Sequence, residues 1–338
     1  MQPLIITSLK IVPFEIPFVR PFTFAGTTLN VRTGYYLAVV TGDGLTARGE
    51  IAPLPGLSGE TLKKAKHDLE EIAAVLPHWE IPIERDALVR KIKEDHHLAA
   101  ACPSVRFGVE SVLFELAAKA QNQTLGQFFQ IPFEGVMSAG LLQGTHTQVI
   151  AEAKELRAQG ISVFKLKVGD RNIPLDVKKV QDLRGIIGPQ GLLRLDGNRV
   201  WSLSEAVLFA QLAGHGHIEF IEEPLSDMSR VREFYEATHM PVALDETLQV
   251  VRCGVTAPGR CSSTLASSDG VKAYVIKPSV LGGIVIALDW IEEARTLGKK
   301  AIISSAFESP VGMGVLHVLA NLTGQVAGLG TDRWLKHA

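Results

Sequence analysis

Five charged residues close successive short apolar runs: Lys167 in "FKLKVGD", Asp196 in "LLRLDGN", Glu222 in "FIEEPL", Asp245 in "VALDET" and Lys277 in "AYVIKPS". Their spacings of 29, 26, 23 and 32 residues each correspond to about one strand–helix unit. If every run is a strand of one parallel barrel, the five side chains meet at neighbouring points of the rim formed by the strands' C-terminal ends, where such barrels carry their chemistry. Three carboxylates gathered within ~5 Å at an effective dielectric of ~20 repel by roughly 3 kcal/mol per pair, or about 10 kcal/mol in all. That is comparable to the stability of a whole domain. A cation among Asp196, Glu222 and Asp245 removes the difficulty, and an all-oxygen set favours Mg²⁺ over zinc, with Mn²⁺ a possible substitute.

The same cost argument applies to Lys165 and Lys167, two like charges on one face of a strand. A lysine acts as a base only when neutral, and lowering its pKa from ~10.4 into the useful range near 7–8 costs roughly 4 kcal/mol. A second ammonium two residues away, a nearby dication and desolvation all push that way, so Lys165 is expected to depress Lys167. A base facing a divalent metal suits removal of a proton α to a carboxylate. Lys277, on the opposite wall, is then a second acid/base or a fixed positive charge.

The elements that must hold these residues fall into two styles of sequence that meet near residue 134. Residues 1–133 read as an α+β unit, with a hairpin around Gly42-Asp43-Gly44 and helices near 60–76 and 104–122. From 134 to 338, eight short apolar runs alternate with amphipathic helical segments, such as the one where Ser202 and Glu205 form a capping box. This alternation predicts an α/β fold, a (β/α)-type barrel whose last units are short of helix. The segment 249–270 is Gly/Ser-rich, and its helix content stays open.

Taken in order, "KLK" (165–167), "LRLDGN" (193–198), "IEEP" (221–224), "ALDET" (243–247) and "VIKPS" (275–279) resemble the enolase superfamily in its muconate-lactonizing subgroup. The resemblance covers nearly the whole chain and implies a modified (β/α)₇β TIM-type barrel behind an N-terminal α+β capping domain. It also implies a mobile lid near residues 20–27, and a C-terminal tail that can return to the capping domain. Lysine bases working beside Mg²⁺-stabilised enediolates are that superfamily's known pattern, so the pairing is a match to it and no independent discovery. The family pattern makes Lys167 the base, Asp196, Glu222 and Asp245 the metal ligands, and Lys277 the opposite lysine. Arg194, Asn198, Ser304 and Gly328 fall where family members contact substrate, and Glu223 and Glu246 are expected to support the ligands.

Three further stretches, "GEIAPLPGLSGET" (49–61), "VIKPSVLGG" (275–283) and "ISSAFESPVGMG" (303–314), most resemble the o-succinylbenzoate synthase branch. That implies a syn dehydration of 2-succinyl-6-hydroxy-2,4-cyclohexadiene-1-carboxylate in menaquinone biosynthesis. N-acylamino-acid racemases and dipeptide epimerases of the same subgroup share the fold and metal and form the first rival reading. A barrel using Lys277 as a Schiff base and a non-catalytic binding barrel are the others.

Composition narrows the partners. A net charge of −2 gives no basic footprint for nucleic acid. No uninterrupted apolar run reaches the length of a membrane span, and the start does not read as a signal peptide. Cys102, Cys253 and Cys261 lack metal-ligand spacing and read as reduced thiols, so a cytoplasmic enzyme of a small carboxylate substrate is expected. The sequence does not fix an oligomeric state. Ser304 and Ser305 lack a nucleophile-elbow context, His96 and His97 read as a solvated helix end, and Gly282-Gly283 read as a close backbone approach.

Overall fold

The computed structural model describes residues 3–24, 27–131, 135–169, 172–253 and 265–336. The N-terminal part is a three-stranded antiparallel sheet in the order β1 (Ile6–Phe24), β2 (Thr27–Thr41), β3 (Thr46–Ile51). Pro13, Pro17 and Pro21 fall inside β1, which a strand tolerates at a sheet edge; among the described residues the only ladder of β1 is with β2, and its other edge meets an isolated bridge at Phe18. The β2–β3 turn lies where the sequence places it, with Gly44 at φ +86. Residues 20–24, expected as a loop-like lid, belong to β1, and residues 25 and 26 lie outside the described residues.

Five helices follow: α1 (Leu62–Val75), α2 (Arg85–Glu94), α3 (His96–Ala100), α4 (Pro103–Ala120) and α5 (Leu125–Phe128). Thr61 caps α1 by accepting from the Lys64 N–H at 3.2 Å. α4 is buried on nearly every side, as its apolar sequence requires of an interior helix. It lies so close to β3 that a Cβ on Gly49 would stand 1.9 Å from the Gly108 carbonyl oxygen. The expected boundary at 133/134 lies outside the described residues.

The second part is a seven-stranded parallel sheet ordered β10-β9-β8-β7-β6-β5-β4. Its strands are β4 (Gly140–Leu142), β5 (Val163–Lys167), β6 (Leu192–Asp196), β7 (Ile218–Glu222), β8 (Val242–Leu244), β9 (Val271–Ile276) and β10 (Lys300–Ile303). The eighth apolar run, expected as a strand, is reduced to two parallel bridges, Ala327 to Ser138 and Gly328 to Ser304. Those bridges join the β4 side to the β10 side and close the barrel. Its interior is filled by Phe220, Ala243, Ala273, Val275 and Ile302.

Helices α6 (His146–Ala158), α7 (Ile173–Ile187), α8 (Leu203–Ala213), α9 (Val231–Thr238), α10 (Glu246–Cys253), α11 (Pro278–Leu281), α12 (Ile284–Thr296) and α13 (Pro310–Thr323) follow successive strands. The Ser202–Glu205 capping box forms at α8, and a second, Thr145–Gln148, starts α6. Of the open segment 249–270, α10 runs to Cys253, while 254–264, including Cys261, lie outside the described residues.

Gly283, at φ +113, leaves room for the buried Glu110 carboxylate of α4, which accepts from the Val285 N–H at 2.8 Å. The segment 335–336 returns to the first sheet: Leu335 bridges to Phe18, and the Lys336 N–H donates to the Pro17 carbonyl at 2.9 Å. Among the described residues no helix is long and apolar enough to cross a membrane.

Candidate active site

Lys167, Asp196 and Glu222 are Cα partners across β5, β6 and β7, so they stand in one layer at the strands' C-terminal ends. Asp245 follows β8 and Lys277 follows β9, at the same end. With the closing segment counted as the eighth position, β5 and β9 lie four places apart and face each other across the barrel. The three acids occupy the arc between them. The five residues picked out by spacing do converge on one mouth.

A single pocket takes in both lysine walls. Lys165, Lys167, Asp196, Asn198, Lys277, Ser304, Ser305 and Gly328 line its floor, and Phe22, Leu54, Leu57, Leu141, Ala306 and Phe307 form its apolar side. Phe22 reaches it from the hairpin and packs on Phe307 with ring centroids 4.3 Å apart. Phe22 falls in the 20–27 stretch expected as a lid, where the residues offered no physical basis for naming contacts. Leu54 and Leu57 lie in the "IAPLPGL" stretch, which was legible only through family likeness.

Lys165 Nζ lies 3.0 Å from Asp196 Oδ2 and 2.8 Å from Glu222 Oε1. Burial pulls its pKa down, but Asp196 and Glu222 outweigh burial and hold it above the usual lysine range. The ammonium that Lys165 disfavours in turn is that of Lys277. Burial first, and Lys165 second, push Lys277 down to about 8 against the pull of Glu222 and Asp196. Lys277 Nζ contacts Asp245 Oδ2.

Glu223 is fully buried and organises the third acid. Its Oε1 accepts from the backbone N–H of Asp245 and of Thr247, both at 2.8 Å, and its Oε2 accepts from Arg199 Nε at 2.8 Å. Through the Asp245 N–H, Glu223 fixes the backbone of the third acid. Arg199 was missed, although it directly follows "LDGN". Glu223, Asn198 and Arg199 adopt positive φ of 43°, 43° and 59°, a strain that clusters at functional sites.

Glu246 tests whether a cation fits here. Burial, followed by Asp196, Glu222 and Glu223, pushes its carboxyl up to about 8, and its buried Oε2 has no hydrogen-bond partner. Several acids in mutual repulsion, an orphaned oxygen and an all-oxygen donor set are what a hard dication relieves. Asp196 and Glu222 are ion-paired to Lys165 and Asp245 to Lys277; among the described residues, the set of three ligand side chains whose atoms all lie within 4.8 Å is His67, Asp68 and Glu71 on α1. Asp68 there already accepts from Lys64 and from the Cys102 N–H.

The four substrate-contact expectations divide. Asn198, Ser304 and Gly328 line the pocket, and a Cβ on Gly328 would stand 2.7 Å from Ser304 Oγ. Arg194 does not line it. One layer below Asp196, its guanidinium donates to Glu219 Oε2 and to the Val326 carbonyl, both at 2.7 Å, and lies over the Phe220 ring. Residue parity put Arg194 on the correct face, but its depth and its partner Glu219 keep it from the mouth.

The comparisons with known proteins agree with this architecture. The profile described as "MenC, N-terminal domain" matches residues 6–116, and "Enolase C-terminal domain-like" matches 148–334. The chain belongs to the enolase superfamily. Superfamily relatives named o-succinylbenzoate synthase include that of Aliivibrio fischeri, 32% identical over 92% of this chain and 85% of the relative. That of Vibrio cholerae is 32% identical over 94% and 87%. These relatives place the chain among hydro-lyase enzymes. By fold, it is similar to the L-Ala-D/L-Glu epimerase of Bacillus subtilis (TM-score 0.83, 20% identity, 98% of this chain and 92% of that one). It is likewise similar to a dipeptide epimerase of Enterococcus faecalis complexed with Mg and a dipeptide (TM-score 0.83, 21% identity, 100% and 93%).

Proposed function

We propose that the chain is an o-succinylbenzoate synthase that dehydrates 2-succinyl-6-hydroxy-2,4-cyclohexadiene-1-carboxylate. The reading rests on one observation above the rest: Lys167 and Lys277 face each other across a pocket whose intervening arc is acidic and whose outer wall is apolar. The relatives' names supply the product, o-succinylbenzoate, and the family resemblance implies the substrate. Asp196, Glu222 and Asp245 would hold Mg²⁺, with Glu223 and Glu246 supporting them. When bound, the ion supplies counter-charge to the substrate carboxylate as negative charge grows there.

Lys167 takes the α-proton of the substrate. Electrons from that C–H bond pass into the carboxylate, giving an enediolate. Their return to the ring expels the hydroxyl, which leaves as water with the proton handed back by Lys167. Base and acid are therefore one residue on one face, as a syn elimination requires. Lys277 meets the opposite face as a cation, where it stabilises the enediolate and lies over the ring becoming aromatic. Phe22, Leu54, Leu57 and Phe307 keep water from the ring.

The same lysine pair would serve an epimerase, in which the two residues exchange protons on opposite faces of an α-carbon, and the fold neighbours favour weighing that reading. Incubation in D₂O with the cyclohexadiene substrate and, separately, with an N-succinylamino acid separates the two. Formation of o-succinylbenzoate, lost in Lys167→Ala and on EDTA treatment, is the expected result. Rapid α-deuteration of the amino acid with no o-succinylbenzoate formed would overturn the assignment. Covalent trapping of Lys277 by borohydride with EDTA-resistant turnover would point instead to Schiff-base chemistry.

A further inference from the structure

Arg32 heads the large side chains buried in the described protein, at 2% exposure. It sits on β2 and donates to four backbone carbonyls. Nε reaches Phe307 at 3.0 Å, Nη1 reaches Pro53 at 2.9 Å, and Nη2 reaches Ala306 at 3.3 Å and also Ala52. Two of these carbonyls follow β3 and lead into Leu54 and Leu57. The other two follow β10 and belong to Ala306 and Phe307 themselves. These are the two apolar walls of the pocket, one from each part of the chain.

None of the four acceptors carries a charge, so the buried guanidinium is balanced at longer range by Glu50 and Glu308. Both carboxylates brace the same walls. Glu308 accepts from the Ala306 N–H at 2.7 Å and from Ser279 Oγ at 2.5 Å, two residues after Lys277. Glu50 accepts from the N–H groups of Ser309 and Gly312 at the start of α13. A fork-shaped group with five fixed donors can hold two separate chain segments at one spacing, which a lysine cannot do.

We propose that Arg32 is a positioning residue for substrate binding, which sets the gap between the 52–57 wall and the 304–308 wall. The identity of the substrate held in that gap rests on the reading above. Because Arg32 touches neither the lysines nor the acids, its loss acts on binding of the unreacted substrate and of the transition state alike. That raises KM and spares kcat.

The test compares wild type with Arg32→Lys and with Glu308→Gln, which keeps the carboxyl's shape but removes one balancing charge. In Arg32→Lys, KM for the cyclohexadiene substrate is expected to rise about 10- to 100-fold, with kcat within about threefold. Amide exchange is expected to quicken together in 52–58 and 304–309, and not in α1. Glu308→Gln moves both readouts the same way by less, and decides the matter should Arg32→Lys not fold. A lowered melting temperature with unchanged KM, or faster exchange in only one of the two walls, would overturn the proposal. If the wild type makes no o-succinylbenzoate, the functional reading fails on its own, and the exchange result still decides the role of Arg32.

Discussion

Glu223 accepts hydrogen bonds from two backbone N–H groups, one guanidinium and one hydroxyl, so each of its oxygens faces only donors. A glutamine there turns an NH₂ toward one pair of donors and releases either Asp245 and Thr247 or Arg199. Glu223→Gln is therefore expected to weaken Mg²⁺ binding about 10- to 100-fold, the usual cost of losing a ligand's supporting partner, as read by calorimetric titration. Unchanged affinity would mean that Asp245 is held without it. The residues at the mouth were legible because each ends an apolar run, and charge at such a position has no structural excuse. Arg194 shows where that logic stops: two-residue periodicity assigns a face, whereas depth along the barrel depends on partners such as Glu219, 25 residues away. Arg199 and Arg32 were illegible for the same reason, since their acceptors are set by the fold.

Among the elements, the barrel strands were readable as runs closed by functional residues, and the capping boxes marked where helices begin. β1 was not, because prolines in an extended segment argue against a strand until its edge position is known. α2 escaped notice too, being polar along most of its length. The contact between β3 and α4 carries a sharp expectation. A methyl group on Gly49 would collide with backbone, which cannot move aside as a side chain can. Gly49→Ala is thus expected to cost about 3 kcal/mol or more of stability through overpacking. Thermal unfolding measures it, while the folded fraction retains its Mg²⁺ affinity. A melting temperature equal to wild type would show that strand and helix can separate freely.

For the molecule as a whole, Glu246 and Lys277 make stability depend on pH in opposite senses. Glu246 titrates near its ordinary 4.5 when unfolded and near about 8 when folded, so between these values the folded chain holds the extra proton and stability falls as pH rises. Lys277 titrates near 10.5 unfolded and about 8 folded, so there the unfolded chain holds more protons and stability rises with pH. The contribution of these two groups alone is expected to have a minimum near pH 8, which denaturant titration of wild type against Glu246→Gln in EDTA measures. Mg²⁺ binds best when the acids are ionised, so the rise in melting temperature on adding it is expected to grow from pH 6 to pH 8.5. A flat profile with and without Mg²⁺ would separate Glu246 from the ion.

The closure at Ala327 and Gly328 has a consequence of its own. Seven staves of this cask are laced by strand ladders, and the last joint is stitched by two bridges, one at Ser138 and one at Ser304. Because Ser304 and Gly328 line the pocket, an oversized guest presses directly on that joint. The size of guest the cavity accepts therefore follows how firmly that joint stays shut.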